Sequence, residues 1–423
     1  MQTIVVVGAG VAGLAAASRL VESGNQVILL EARDRIGGRI HTLHDPGFPI
    51  PVELGAEFIH GRPKPIWDLV RSENLVVGSL EGDNWCSHDR VLKKCNDFWR
   101  RWERVAAYLK RGKSFPDQSF REFLARLNFD AETNSAATDF VEGFNAARSE
   151  TISTQYLALA QDTLDRMSGD TQFRILAGYD RVVDALSSLD PKLAEIHLGT
   201  VVRKIEWKPG RVRINGFEAD SAIVTLPLGV LQSGRVRFIP ELKEKETAAR
   251  QLVMGPVVKV VLRFTSAFWE DRGLENLSFL HARDEKVPTW WTVRPVAAPI
   301  LVGWAGGPPA DGLALKGEEH IVNTAVQSLA SALKMNTSSV ESLLSAFAVA
   351  DWQADPFSLG AYSYIPVGGI VAPMKLAEPV ADTLFFAGEA TAVDGDSATV
   401  HGAMHSGYRA AGEVLGLERR YAA

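Results

Sequence analysis

Gly8, Gly10 and Gly13 stand on the spacing GxGxxG, after the apolar run Ile4 to Val7, and Glu31 closes the next apolar run, Val27 to Leu30. Residues of these types at this spacing cradle a dinucleotide. The first glycine permits a tight turn, the second lets bare backbone approach a pyrophosphate, and the third lets the following helix pack closely on the strand. That helix offers unpaired N–H groups and the positive end of its dipole to the phosphates. A carboxylate at Glu31 can accept both hydroxyls of an adenosine ribose and would repel a 2′-phosphate. Gly37, Gly38 and Arg39 suit a second close approach and a charge-assisted phosphate contact. With Arg33 and Arg35 they also read as a solvated basic loop.

The elements that must position these residues are legible in the same pattern. Ile4 to Val7 is short, continuous and β-branched, as in a parallel strand buried on both faces. Pro51 to Gly61 is a glycine-rich loop or short strand. From Trp67 to about Gln172 the sequence reads as helical. Lys93 to Arg111 sets Phe98, Trp102, Val105 and Leu109 on one core face, Ser119 to Leu127 follows, and another helix is expected from Asp139 through Leu159. Strand signals return at Ala194 to Gly216, read as a hairpin around a Pro-Gly turn, and at Ser221 to Leu231, read as a buried strand ending at Pro227. A helix after Pro240 leads to Val257 to Phe264, VVKVVLRF, a strand on which Lys259 can point outward or into the protein. Further strands carry Trp290, Trp291 and Trp304. Helices are expected over Glu318 to Met335 and near Ser338 to Ser345. The last segment reads as a strand, a turn at Gly388 and Glu389, and a helix from about Ala398.

At 423 residues the chain exceeds one compact core and suits two domains. The element order makes both discontinuous: residues 1–75, 176–240 and 380–423 form the dinucleotide-binding domain, and 76–175 and 241–379 the other. A hydrophobic content of 46% with 23% charged residues is ordinary for a soluble globular protein. The net charge of −6 argues against nucleic acid and permits cationic ligands. Without a membrane-length apolar stretch or a signal peptide, a cytoplasmic protein with no membrane partner is expected. Cys86 and Cys95, the only cysteines, match no metal spacing and are expected to be free thiols, and no metal site is expected.

Several separated motifs resemble, in order, the flavin-dependent amine oxidase family, which includes monoamine and polyamine oxidases, L-amino-acid oxidases and lysine demethylases. They are GAGVAGL, LEARDRIGGR, ELGAEFIHG, VTLPLGVL, GPVVKVVLRF, DWQADPFSLGAYSY and FFAGEATAVDGDSATVHGAMHSGYRAA. The resemblance implies an α/β fold in which a Rossmann-like FAD-binding domain interleaves with an α+β substrate-binding domain. It implies FAD, held by Gly8, Gly10, Gly13, Glu31, Ala32, Arg33, Gly38, Arg39, Gly55, Ala56, Glu57, Val202, Thr225, Trp352, Gly388, Glu389, Thr399 and Val400. Val202 matches a backbone contact to the adenine, Glu389 a ribityl and phosphate contact, and Val400 a backbone donor near the flavin pyrimidine. Ala361 stands where relatives with covalent flavin carry cysteine, which implies noncovalent FAD.

The implied reaction passes hydride from the carbon beside an amine nitrogen to flavin N5, water hydrolyses the resulting imine to a carbonyl, and O2 is reduced to H2O2. Lys259 matches a lysine that reaches N5 through a water. Tyr362 matches an aromatic residue facing the substrate amine, and its partner tyrosine falls at Thr399, leaving that cage incomplete. His60 matches a histidine at the cavity mouth of polyamine oxidases and also reads as a surface hydrogen bonder. Together with Glu57 it could meet a second cationic centre, although Glu57 could equally bond its own loop. The expected substrate is a polyamine or another primary or secondary amine, taken by a monomer or homodimer. An L-amino-acid oxidase, a carotenoid- or porphyrinogen-type flavoprotein and a flavin-stabilised scaffold are the alternatives.

Overall fold

The computed structural model describes residues 1–89, 91–95, 98–112 and 116–417. Strand β1 (Thr3–Val7), helix α1 (Val11–Glu22) and strand β2 (Gln26–Leu30) form the expected unit, with β1 and β2 parallel from Thr3↔Gln26 to Val7↔Leu30. Both faces of β1 are covered. Ile4 and Val6 pack with Leu14 of α1 and Met404 of the C-terminal helix Val400–Val414, while Val5 and Val7 pack with Ile205, Val212 and Ile214 on the other side. The parallel sheet has five strands in the order Ala194–His197, β2, β1, Ser221–Val224, Leu384–Phe386, so it gathers stretches that lie far apart in sequence.

A second, seven-stranded sheet runs Leu344–Asp351, Val257–Phe264, Ile300–Gly306, Thr289–Thr292, Leu277–Ala282, Asp83–His88, Val91–Lys94. Its strand Val257–Phe264 is central, and the period-two alternation of side chains divides its faces. Val258, Val260, Leu262 and Phe264 pack against Ile321, Ala325 and Leu329 of the helix Glu318–Ala332. Val261 on the opposite face packs with Val52, Leu54 and Trp291. Lys259 shares that second face, which is how a lysine comes to point inward toward the loop at 53–57.

The structure corrects several expectations drawn from pattern. The stretch read as helical contains the strands Val77–Ser79, Asp83–His88 and Val91–Lys94, whose half-exposed, polar composition hides their periodicity. The helix expected from Asp139 through Leu159 is two helices, Ala131–Asn145 and Thr154–Arg166, because Ala146 turns left-handed at φ 47°. Ala194–His197 leaves the hairpin for the parallel sheet, and the hairpin is Lys204–Lys208 with Arg211–Ile214. The strand from Ser221 ends at Val224, and Leu228–Gln232 is a helix begun by Pro227. Leu344–Asp351 is a strand just where a helix was expected to end. Trp102, Val105 and Leu109 are buried core residues as expected; the side chain of Phe98 lies outside the described residues, as do positions 418–423 of the C-terminal stretch.

Cys86 and Cys95 are not free thiols. The hairpin formed by Asp83–His88 and Val91–Lys94 brings their Cα atoms to 5.6 Å and they form a disulfide. No helix among the described residues is long and apolar enough to cross a membrane.

One buried acid couples this fold to pH. Glu53 accepts hydrogen bonds from the Tyr179 N–H and the Thr42 hydroxyl, each at 2.7 Å, yet burial outweighs them and pushes its carboxyl up to about 7. A carboxyl raised by folding favours the native state at pH below its unfolded value of 4.5, and that contribution is lost as pH rises through about 7. In urea titrations, Glu53→Gln should therefore gain about 3 kcal/mol relative to the parent between roughly pH 4 and pH 8. A difference that stays constant with pH would refute this.

Candidate active site

A single cavity of about 1120 Å³ runs from the glycine turn after β1 to a rim at Cys86 and Cys95. That exceeds the roughly 300–1,000 Å³ of most small-ligand sites, which leaves space for a dinucleotide and a substrate end to end. Its inner part is built from backbone. Gly8 turns at φ +104°, and a Cβ on Gly13 would lie 1.9 Å from the Gly8 carbonyl oxygen, so α1 can seat here only without a side chain. A Cβ on Gly10 would meet nothing within 4 Å, because that position faces the open cavity. Gly38, at φ +60°, comes up against Gly10, so the two glycine loops stack.

Glu31 ends β2 with its carboxylate buried, one oxygen accepting from the Ala9 N–H at 2.8 Å and the other from the Arg33 N–H at 2.9 Å. Each oxygen keeps lone-pair capacity for a ribose hydroxyl. The Arg33 guanidinium faces the protein, bonded to Asp355 at 2.6 Å and Ser358 at 3.0 Å. Arg39 donates to the Ala361 carbonyl at 2.7 Å and to Glu389 at 2.9 Å, while the other Glu389 oxygen accepts from Ser363 Oγ at 2.6 Å. Both therefore line the groove while organising its wall. Thr225 bonds the Val7 carbonyl at 2.8 Å, and Trp352 reaches the Leu54 carbonyl at 3.1 Å. Ala32, Gly55, Ala56, Val202, Gly388 and Val400 line the same groove; Gly13 alone of the expected residues does not, since its role is packing. Thr399 caps the helix Val400–Val414, accepting from the Gly402 N–H at 2.9 Å, and so aims that helix N-terminus at the cavity.

Where the groove opens outward, three buried charges meet. Lys259 Nζ donates to the Gly55 carbonyl at 3.2 Å and to Glu57 at 2.5 Å. The second Glu57 oxygen meets Arg174 at 2.7 Å and the Trp291 indole N–H at 3.0 Å. Burial alone would push the Glu57 carboxyl up, but the two cations outweigh it and hold it below the usual carboxylate range. Glu57 is thus engaged by protein groups, which corrects the expectation that it meets a second cation of the ligand.

Beyond this triad the walls turn aromatic. Phe58, Phe144, Tyr156, Trp291, Trp304 and Tyr362 line the chamber. Tyr362 donates to the Phe144 carbonyl at 2.8 Å and Trp304 to the Gly143 carbonyl at 3.0 Å, which fixes both rings. His60 faces Phe144 edge-on at 5.3 Å, and burial, aided by His401, pushes it down to about 4, so it stands neutral near pH 7. Arg174, Tyr156 and Phe144 were not singled out in the sequence; Arg174 lies in a four-residue strand with no motif around it.

This arrangement of groove, buried cation and aromatic chamber agrees with sequence comparison. The model of the family described as flavin containing amine oxidoreductase matches residues 11–415. The chain belongs to this family. This amine oxidase is 31% identical to Polyamine oxidase 2 of Arabidopsis thaliana over 97% of its own length and 87% of that protein. It is 32% identical to Lysine-specific histone demethylase 1 homolog 2 of Oryza sativa subsp. japonica, over 98% of its length and 57% of the relative's. Among solved structures it superposes on putrescine oxidase bound to putrescine with a TM-score of 0.84 at 20% identity, covering 98% and 99% of the two chains. Cyclohexylamine oxidase from Brevibacterium oxydans IH-35A gives 0.83 at 21% identity, covering 99% and 100%. These two likenesses show the shared fold of a flavin-binding and a substrate-binding part.

The cofactor of this amine oxidase is FAD, and the residues present fit it. The open space at Gly10, the two helix N-termini and the buried Glu31 suit the pyrophosphate and adenosine ribose. Gly10→Val should fold but purify without flavin, because its side chain would project into the groove, whereas Gly13→Val should unfold, since it strikes the Gly8 carbonyl. A yellow, FAD-loaded Gly10→Val protein would overturn this assignment. Ala361 offers no sulfur and both cysteines are paired, so acid or heat should release FAD intact; flavin retained on the denatured chain would count against it.

Proposed function

We propose that this enzyme oxidises the carbon beside the nitrogen of a primary or secondary amine, with polyamines as the substrate class and O2 as the electron acceptor. The observation that carries the reading is Lys259, buried to 1% exposure at the boundary between dinucleotide groove and aromatic chamber. Bound FAD supplies the two-electron chemistry, taking hydride from the substrate carbon and passing electrons to oxygen. The chain's residues do the rest. Phe144, Trp304 and Tyr362 exclude water and offer ring faces to an amine. Neutral His60 adds no charge that would repel the substrate.

Support for a polyamine comes from the names of the relatives and from the helix Ala131–Asn145. Its C-terminal, negative end reaches the chamber, where the Gly143 and Phe144 carbonyls meet Trp304 and Tyr362. On its last turns Glu142 lines the cavity and accepts from the Ser149 N–H at 3.0 Å, with no cation paired to it among the described residues. A distal ammonium of the substrate would complete that carboxylate. An amino-acid carboxylate would need a guanidinium near the aromatic chamber, and Arg283 and Arg101 are paired with Asp139 and Glu132, while Arg203 adjoins Val202 of the dinucleotide groove and Arg235 bonds the Pro356 carbonyl.

Anaerobic mixing with a panel of amines tests this directly. Spermidine and putrescine should bleach the flavin with higher kcat/KM than benzylamine, phenethylamine or L-leucine near pH 8, where more substrate amine is neutral than at pH 7. Glu142→Gln should raise KM for polyamines by roughly tenfold, about 1.4 kcal/mol, and leave benzylamine unchanged. Preference for aryl monoamines or amino acids would move the enzyme to another branch of the family. Lys259→Met should keep FAD and slow flavin reduction or reoxidation by at least about tenfold; unchanged rates in both would remove Lys259 from the chemistry.

A further inference from the structure

Lys259, Glu57 and Arg174 are 1%, 6% and 7% exposed. Removing ions from water costs several kcal/mol each, and a buried triad is often no more stable than apolar residues of equal volume. Stability alone does not account for three charges here. Lys259 and Glu57 line the cavity, and Arg174 does not reach it but pairs with Glu57.

An ammonium has three hydrogens. Two on Lys259 are directed to the Gly55 carbonyl and to Glu57, and the ring of Trp291 lies 5.6 Å from Nζ. One hydrogen is left for the cavity. The direction of that hydrogen depends on where Glu57 stands, and Glu57 is held from its other side by Arg174 and by the indole N–H of Trp291. The backbone of Arg174 is fixed, its strand Gln172–Ile175 being paired with Ile59–His60 on one edge and Val77–Ser79 on the other, and its guanidinium, 5.3 Å from the ring of Phe58, meets Glu57 as an ion pair without a hydrogen bond at Nε or Nη2.

We propose that Glu57 and Arg174 are positioning residues for Lys259, the carboxylate setting the lysine's remaining hydrogen toward the place where flavin and amine meet and the guanidinium holding the carboxylate. The inference rests on the role given to Lys259 above. Lys259, the cation of the triad that lines the cavity, also acts on the potential of a bound flavin.

The FAD-loaded enzyme tests this through Glu57→Gln, Lys259→Met and the double variant, read by the rates of both half-reactions and by the midpoint potential of the bound flavin. Glu57→Gln should slow the same half-reaction as Lys259→Met by about fivefold or more with KM little changed. The double variant should be no slower than Lys259→Met within about twofold, since residues acting through one another are not additive. Arg174→Lys, which keeps the charge but loses the fork, should give a smaller loss in the same step. Losses that multiply, or a Glu57→Gln enzyme with unchanged rates beside a slow Lys259→Met, would overturn the proposal. Should Lys259→Met itself leave both rates unchanged, the role of Lys259 in the chemistry falls. The potential then decides the positioning: a Glu57→Gln shift that vanishes in the Lys259→Met background upholds it, and additive shifts overturn it. If Glu57→Gln does not retain FAD, the same comparison with Arg174→Lys decides.

Discussion

The close contact of backbone with backbone at the end of β1 is the constraint on which the rest of this structure depends. A Cβ at Gly13 would sit 1.9 Å from the Gly8 carbonyl, and one at Gly407 would sit 2.1 Å from the Ala12 carbonyl. Only bare glycines let α1 press against the turn and let the C-terminal helix press against α1. The result is two helix N-termini, capped at Gly10 and Thr399, that open side by side on one cavity. Neither has an acidic side chain in its first turn. The positive ends of both dipoles are therefore left for an anionic ligand.

The second sheet must meet this groove at a fixed distance, and the means is a strand whose two faces do different work. Even-numbered residues from Val258 to Phe264 anchor it to a helical layer, so the opposite face is free to carry Lys259 toward the 53–57 loop. A one-residue slip in register would exchange these faces and bury the lysine among Ile321 and Leu329. Pairing with Ile300–Gly306 and Leu344–Asp351 on either side prevents it. The ion triad then joins the loop that borders the flavin groove to the sheet that walls the chamber.

Much of this was legible in the sequence because it depends on local rules. The glycine spacing and the acid after β2 are short-range signals, and the lysine in a valine strand is another, whose inward face the packing of the sheet decides. The residues that escaped are those defined by tertiary contact. Arg174 has no neighbour in sequence that marks it; it matters because its strand lies between two others and its guanidinium reaches Glu57. The pairing of Cys86 with Cys95 depended on recognising a hairpin in a stretch whose polar strands carry no alternation. The break at Ala146 was hidden because alanine favours helix, and only the packing of Gly255 and Gly307 against the 146–147 backbone explains the turn.

Glu57 shows how a correct location can carry a wrong role. From sequence, an acid beside a cavity histidine suggests a counter-ion for a cationic ligand, yet its oxygens are occupied by Lys259, Arg174 and Trp291. The inner chamber thus presents rings and the Lys259 ammonium to the cavity. The helix Ala131–Asn145 ends at the same cavity, bringing Glu142 and the Gly143 and Phe144 carbonyls to it. On the proposed reading, the opposite charges of Lys259 and Glu142 on the wall of one cavity order a substrate that carries one neutral and one protonated nitrogen, without any residue that must recognise the chain between them.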